Sequence, residues 1–383
     1  NNSMKINVFY DKLEPFAVQI WDYYYAYKQY LNFPTVPEAD ITFNGDISTV
    51  SNQRVNGCIN VLHMSFTTIA SNVDEYIPLY DIVIIDNQLE SVSVSSDEVK
   101  RLLIAHPNVF YMCGSIIGRD HLLYDKVITF DLFWEIIKHQ YTSFQLGTSH
   151  FVGNSNTRSG VVYIGGEMRS YRRYIYDLLE TVNIKKIQRD NVVSCTDDVY
   201  YDDYTQQFVD KCNEKYNVTG VIPDSSPLYQ PTYLGIDGRR QGECSLGVFI
   251  LPEYTMSNCI VYPESSFTNN EFHPTEKTWK CVVCNTHWIM FAGRGAYGIM
   301  RDYGFRSILE ETPVGIGFDN ISNHEQRYNA VVEAIRYVSE NPAVFDTANA
   351  KNILTDNYRN FYNNNRIIKQ MVTRIDTLLR EAQ

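Results

Sequence analysis

Glu271-Phe-His-Pro-Thr-Glu-Lys-Thr-Trp-Lys280 runs through the apolar Cys281-Val-Val-Cys284 to Trp288-Ile-Met-Phe291 and then to Gly293-Arg-Gly-Ala-Tyr-Gly298. The order is helix, buried strand and glycine-rich turn, the alternation from which parallel α/β sheets are built. Pro274 suits the first turn of the helix, where its missing N–H costs nothing. That choice leaves Thr275, Glu276 and Lys277 at an exposed helix N-terminus, which favours an anion. Lys277 can meet a phosphate while Glu276 accepts from a ribose or sugar hydroxyl. The plainer alternative is a first-turn glutamate complementing the helix dipole.

A second stretch of the same grammar lies upstream. Val161-Val-Tyr-Ile164 is a strand, Gly165-Gly166 a tight turn, and Glu167-Met-Arg-Ser-Tyr-Arg-Arg173 leads into a helix. Glycines let backbone N–H groups approach an anion, and Arg169, Arg172 and Arg173 add forked cationic donors, so the segment reads as a diphosphate cradle. It has neither the P-loop spacing nor the dinucleotide fingerprint, and a structural turn with surface arginines is the alternative. Arg294, between Gly293 and Gly295, adds a third cationic turn.

Upstream of these, Met4–Tyr10, Cys58–Met64, Ile82–Ile85, Val109–Cys113 and Val127–Phe130 read as strands, with helices at Phe16–Tyr30, Asp97–Ala105 and Leu132–His139. The polar, small-residue stretch Gly147–Gly160 is the linker candidate. Beyond it Tyr174–Glu180 and the later half of Thr196–Asn217 read as helices, Gly247–Leu251 as a strand, and Asn341–Gln383 as two helical patterns broken near Asn363-Asn364-Asn365. The expected organisation is a Rossmann-like domain over 1–155, a second over 156–355 and a helical tail over 356–383. Ligands of such sheets bind at the strand ends, here in a cleft between the domains.

With 383 residues, 44% of them hydrophobic, the chain can bury two cores, and no apolar run approaches the ~18–20 residues of a membrane helix. The N-terminus carries no basic-then-apolar signal pattern, and the eight scattered cysteines suit reduced, buried thiols, so a cytoplasmic protein without disulfides is expected. A formal charge of −12 argues against general nucleic-acid coating, although Arg169, Arg172 and Arg173, or Arg239 and Arg240, could form a local basic cleft. Cys281-Val-Val-Cys284 has no second cysteine pair at zinc-ribbon spacing, and no Asp-x-Asp motif occurs, so no bound metal is expected. His273 and His287 read as structural, and Asp197-Asp198 and Asp202-Asp203 as a solvated acidic edge.

Tyr163-Ile-Gly-Gly-Glu-Met-Arg-Ser-Tyr-Arg-Arg173 resembles the Gly-Gly-Ser-Phe-Arg-Ser segment of the T-even phage DNA β-glucosyltransferase family, and Thr275-Glu-Lys-Thr-Trp-Lys280 its Thr-Leu-Arg-Val-Trp-Glu segment. The Thr-Glu-Lys motif with its later Tyr-Gly-Phe is also similar to one in fucosyltransferase-like phage glycosyltransferases. The resemblance implies a GT-B fold, with the first domain taking the acceptor, the second the nucleotide sugar and the tail packing back on the first, and metal-independent transfer of a sugar from a UDP-sugar to 5-hydroxymethylcytosine in DNA, with glycan, protein or small-molecule acceptors, or nucleotide binding without catalysis, as the alternatives. By the same resemblance Gly165, Gly166, Arg169, Ser170, Arg173 and Lys277 would hold the diphosphate. The family's ribose-binding glutamate falls on Lys280, which leaves that role to Glu276 or implies a different nucleotide. Its general base falls on Gly114, which leaves Asp120, Asp86, Asp22 and Asp11 as candidates.

Overall fold

The computed structural model describes residues 5–10, 20–21, 24, 40–44, 56–65, 74, 77–87, 97–117, 122–131, 133–135, 137–138, 158–165, 168–187, 192–193, 202–216, 252–264 and 267–383. Candidates Asp11, Asp22, Asp120 and Gly166, the pair Arg239 and Arg240, Asp197-Asp198 and the strand expected at Gly247–Leu251 lie outside these. The chain divides into two compact units. Residues 1–115, 119–131 and 365–383 form the first, and residues 116–118 and 132–364 the second.

Six strands build the first unit: β1 (Lys5–Tyr10), β2 (Asp40–Asn44), β3 (Ile59–Ser65), β4 (Ile82–Asn87), β5 (Val109–Cys113) and β6 (Val127–Thr129). They pair in parallel in the order β2-β1-β3-β4-β5-β6. Every residue of β4 and β5 is buried, as continuous apolar runs in a doubly covered parallel sheet require. Helix α1 (Asp97–Ala105) buries Val99, Leu102 and Leu103 at helical spacing and places Asp97 and Glu98 in its first turn, where they oppose the dipole. The C-terminal helix Arg366–Glu381 buries Ile367, Ile368, Met371, Val372, Ile375, Leu378 and Leu379 on one stripe and packs on β6. Tyr24 Oη donates to Asp376 of that helix at 3.2 Å.

The second unit holds a four-stranded parallel sheet of β7 (Val161–Ile164), β8 (Lys185–Ile187), β9 (Cys259–Pro263) and β10 (His287–Phe291) in the order β8-β7-β9-β10. Its helices are α2 (Ser170–Leu178), α3 (Asp203–Tyr216), α4 (Glu276–Val283), α5 (Ala296–Asp302), α6 (His324–Glu340) and α7 (Ala348–Asn363). An aromatic cluster locks part of the core. The Trp134 and Trp279 rings lie 4.7 Å apart, Phe305 and Phe361 pack on both, and Trp134 Nε1 donates to the Phe361 carbonyl at 3.2 Å.

Two parallel α/β units are therefore present, as strands alternating with helices predict. The central strand β9 is not among the sequence expectations. It is an apolar run, Cys259–Pro263, that ends in a proline, which is tolerated at a strand end. Among the described residues no helix is long and apolar enough to cross a membrane.

Candidate functional site

The strand order fixes where to look. From β7 the chain goes to β8 on one side and then to β9 on the other, so the connections diverge between β7 and β9. In open parallel sheets that switch point, at the carboxyl ends of the strands, is where ligands bind. Gly165 follows β7 and leads to Arg169 and Ser170 at the start of α2; Glu264 follows β9; Gly293, Arg294 and Gly295 follow β10. The predicted turns at Gly165 and at Gly293–Gly295 thus belong to one end of one sheet, and Glu264 reaches from that end to the predicted helix start at Thr275.

What fills each helix N-terminus differs. Glu264, fully buried, accepts from the Thr275 backbone N–H at 3.1 Å and its hydroxyl at 2.6 Å, and from the Thr278 hydroxyl. Thr275 is the N-cap of α4, its own oxygen accepting from the Lys277 N–H. Glu264 thereby supplies from another strand the carboxylate that a capping box draws from the third helical residue. This corrects the expected exposed end: Pro274 precedes the cap and, like Thr275, is buried, because the chain's own carboxylate occupies the anion position.

At α5 the same device recurs. Gly295, at φ +87°, is the N-cap, and buried Asp319 accepts from the Gly298 N–H at 2.8 Å. Burial raises the Asp319 carboxyl above its usual range, although these backbone donors oppose the rise. Arg294 braces the loop: Nε and Nη2 donate to Asn270 Oδ1 at 3.1 and 2.8 Å, and Nη1 to Ser322 at 2.7 Å. Asp202 holds the same loop through the Asn269 N–H at 2.9 Å while accepting from the Tyr204 and Thr205 N–H groups. It is a cap and clamp rather than part of a solvated acidic edge.

Loop and turn meet at Gly293, where a Cβ would collide with the Thr268 carbonyl and the Phe267 backbone. Gly293→Ala is expected to cost about 3 kcal/mol, since backbone cannot yield as a side chain does. Gly298→Ala, whose Cβ would meet only Asp319 at ordinary contact distance, should be neutral or stabilising. Urea midpoints of the two variants check this; equal midpoints would refute it.

The α2 N-terminus contrasts with both. Its N-cap is Arg169 in extended conformation, whose own side chain makes no capping hydrogen bond. Ser170 is buried, its hydroxyl given to Asn213 of α3 at 2.5 Å, so what it offers a ligand is backbone. Arg173 turns back along the helix to Asp177, 2.9 Å away. Arg172, the third arginine of the expected cradle, is instead buried, and its Nε donates to Tyr171 Oη at 3.0 Å. Tyr171 Oη in turn donates to the Glu264 carbonyl at 3.1 Å, and its ring stacks on Phe267 at 4.1 Å. One residue, Glu264, therefore ties the start of α2 to the cap of α4.

Around α4, Lys277 Nζ lies 3.2 Å from Glu276 and 3.4 Å from Thr275 Oγ1. Burial would raise the Glu276 carboxyl, but Lys277 and Lys280 outweigh it and hold it below its ordinary value. Burial lowers the Lys280 ammonium, with Glu276 opposing. His273, just before the cap, is driven down to about 4 by burial, and neither ring nitrogen has a hydrogen-bond partner among the described residues. Among the described residues no three His, Cys, Asp or Glu side chains converge as a metal-binding group. Cys281 and Cys284 are free, buried thiols raised above their ordinary range by burial.

In the first unit, Asp86 is the described member of the base candidates. It sits on β4, buried, with Oδ2 2.6 Å from His63 Nε2.

No protein-family model matches the chain, and no curated protein matches its sequence. Among solved structures, an α1,3-fucosyltransferase with GDP is similar at TM-score 0.36 and 11% identity, covering 99% of this chain and 92% of that chain. A likeness at that level bears on neither activity nor site.

Proposed function

We propose that the chain is a GT-B-type glycosyltransferase that takes a sugar from a nucleoside diphosphate sugar, UDP-sugar by the motif resemblance, to a hydroxyl acceptor. The observation carrying this reading is the contrast at the carboxyl end of the second sheet. Two helix N-termini there are filled by Glu264 and Asp319, while the one at the switch point, after Gly165, begins with Arg169, whose own side chain does not cap it. Backbone N–H groups, helix dipole and a guanidinium suit a diphosphate, and they stabilise it as it leaves. Lys277 and Lys280 would add cationic charge, Glu276 would accept from a ribose or sugar hydroxyl, and a carboxylate would take the proton of the acceptor hydroxyl.

The charge of −12 favours a glycan, protein or small-molecule acceptor. Hydroxymethylcytosine in DNA is the second reading, supported by the segments similar to the phage enzymes. Arg169→Ala is expected to weaken UDP and inorganic diphosphate about 10–100-fold by calorimetry, the value of a lost charge-assisted hydrogen bond or two. Release of nucleoside diphosphate from a panel of UDP- and GDP-sugars tests catalysis; a thermal shift with UDP and no release under any condition would leave a nucleotide-binding protein. Transfer to DNA should fall steeply between 50 and 200 mM salt, whereas transfer to a neutral glycan should not.

A further inference from the structure

The amino end of the first sheet, opposite the end at which parallel sheets bind their usual ligands, collects three connections. Residues 77–80 lead to β4, residues 106–108 to β5 and residues 122–126 to β6. Asn108 ties the first two, its Nδ2 donating to the Ile77 and Tyr80 carbonyls at 3.1 and 3.0 Å. Lys126 ties the last two. Its Nζ lies 3.3 Å from the His106 carbonyl oxygen, 2.6 Å from that of Pro107 and 3.5 Å from that of Val109. An ammonium has three donors, so all are engaged, yet only by neutral groups. Its charge is left without a counter-ion.

Arg374 brings a second positive charge to the same place. It projects from the C-terminal helix, and its Nη2 donates to the carbonyl of Asp125, the residue before Lys126. Both cations pack on one ring: Lys126 Nζ lies 4.8 Å and the Arg374 guanidinium 5.7 Å from the Phe110 centroid. Burial first, and Arg374 second, push the Lys126 ammonium below its ordinary range, so the two charges feel each other. Further along the same helix Arg380 pairs with Asp376 at 2.8 Å, and on α1 Arg101 pairs with Asp74 and Glu98. Among the described residues no carboxylate, that of Asp125 included, stands within ion-pair distance of Lys126 or Arg374. Arg374 Nε is buried without a hydrogen-bond partner, and Nη1 has none either.

Two like charges held together cost free energy, and a buried donor without an acceptor adds to it. An anion with several acceptor oxygens and more than one charge relieves both. A phosphate group fits better than a carboxylate, since it carries close to two charges at neutral pH and three acceptor oxygens, which suit a guanidinium and an ammonium at once. Neither side chain is fully buried, so solvent reaches the pair. In a chain of net charge −12, such an unopposed pair is a local reversal of the prevailing field.

We propose that Lys126 and Arg374 form a binding site for a phosphate group at the amino end of the first sheet, separate from sugar transfer and independent of it. The phosphate belongs either to a soluble compound or to a lipid headgroup. Leu122 and Tyr124, exposed in the same turn, would enter the lipid surface in the second case.

The Arg374 Nε–H resonance, assigned by its loss in Arg374→Gln, should shift on titration with inorganic phosphate at constant ionic strength and stay in place with chloride. UDP, added throughout, occupies the site proposed at α2, so the local resonance reports on Arg374 alone. Lys126→Gln should weaken the phosphate affinity read from this shift about tenfold or more. Lys351→Gln, which removes a surface lysine beside Asp346 in the second unit, should leave it unchanged. The wild-type titration decides by itself should Lys126→Gln fail to fold. Flotation with phosphatidylcholine vesicles carrying phosphatidic acid separates the two sources. Flotation that Arg374→Gln abolishes assigns the phosphate to a lipid headgroup, and a shift with inorganic phosphate but no flotation assigns it to a soluble compound; either result keeps the site. No shift with inorganic phosphate, together with no flotation or with flotation that Arg374→Gln leaves intact, would overturn it.

Discussion

Glu264→Ala should destabilise the second unit by about 4 kcal/mol, the range seen when one partner of a buried charged network is removed. The wild-type carboxylate is fully buried and takes three donors, the Thr275 N–H, the Thr275 hydroxyl and the Thr278 hydroxyl. Alanine leaves all three in a cavity with nothing to accept them, and deprives α4 of the negative charge at its positive end. Glu264→Gln should cost much less, about 1–2 kcal/mol. Its amide oxygen can still accept from the Thr275 N–H and Thr278, while the Thr275 hydroxyl can rotate to accept from the new NH₂. Trp134, Trp279 and Trp288 all belong to the second unit, so tryptophan fluorescence in urea reports mainly on it. A loss below about 1 kcal/mol for Glu264→Ala would mean that the α4 N-terminus is not held as described.

Glu264 also shows where sequence reading stopped. Patterns of local spacing identified β4, β5, β7 and α1 nearly to the residue, because continuous apolar runs and an i, i+3, i+4 stripe are one-dimensional signals. The break between α7 and the C-terminal helix at Asn364 and Asn365 was equally legible from its asparagine run. The site was legible only as a set of turns. That α4 and α5 begin on carboxylates from Glu264 and Asp319, 11 and 21 residues away from the groups they cap, is a fact of three-dimensional pairing that no local pattern encodes. Had Cys259–Pro263 been recognised as a strand, the acidic residue directly after it would have stood at a strand's carboxyl end and drawn attention. Arg172 was hidden for a different reason. Among three arginines in five residues, only helix geometry decides which one turns inward to Tyr171 and which, like Arg173, folds back on Asp177.

Acid should destabilise the second unit well before its carboxylates protonate generally. Burial drives His273 to about 4, and His287 and His324 to about 3, with Arg158 and Arg327 adding to the fall at the latter two. In the unfolded chain each imidazole titrates near ~6.5. Between those values the unfolded state holds up to three protons that the folded state refuses, so stability rises with pH there and is lost as pH falls below about 6.5. Glu135 works in the opposite sense. Burial raises it to about 7, with Lys138 opposing, so its contribution is fully present at low pH and lost as pH rises through 7. Asp319, also raised by burial, pulls the same way as Glu135. Near pH 5 the three histidines outnumber Glu135 and Asp319, so the unfolded state holds a net excess of at least about one proton, a slope of about 1.4 kcal/mol per pH unit or more, and stability rises from pH 5 towards neutrality. Urea midpoints taken from pH 4.5 to 8 measure the curve directly. His287→Leu isolates one contributor, since both nitrogens of His287 are buried without partners and its ring packs on Phe345. The variant should lose one proton of the acid slope, about 1.4 kcal/mol per unit, and resist pH 5 better than the parent. An unchanged slope would show that His287 is not held neutral by its burial.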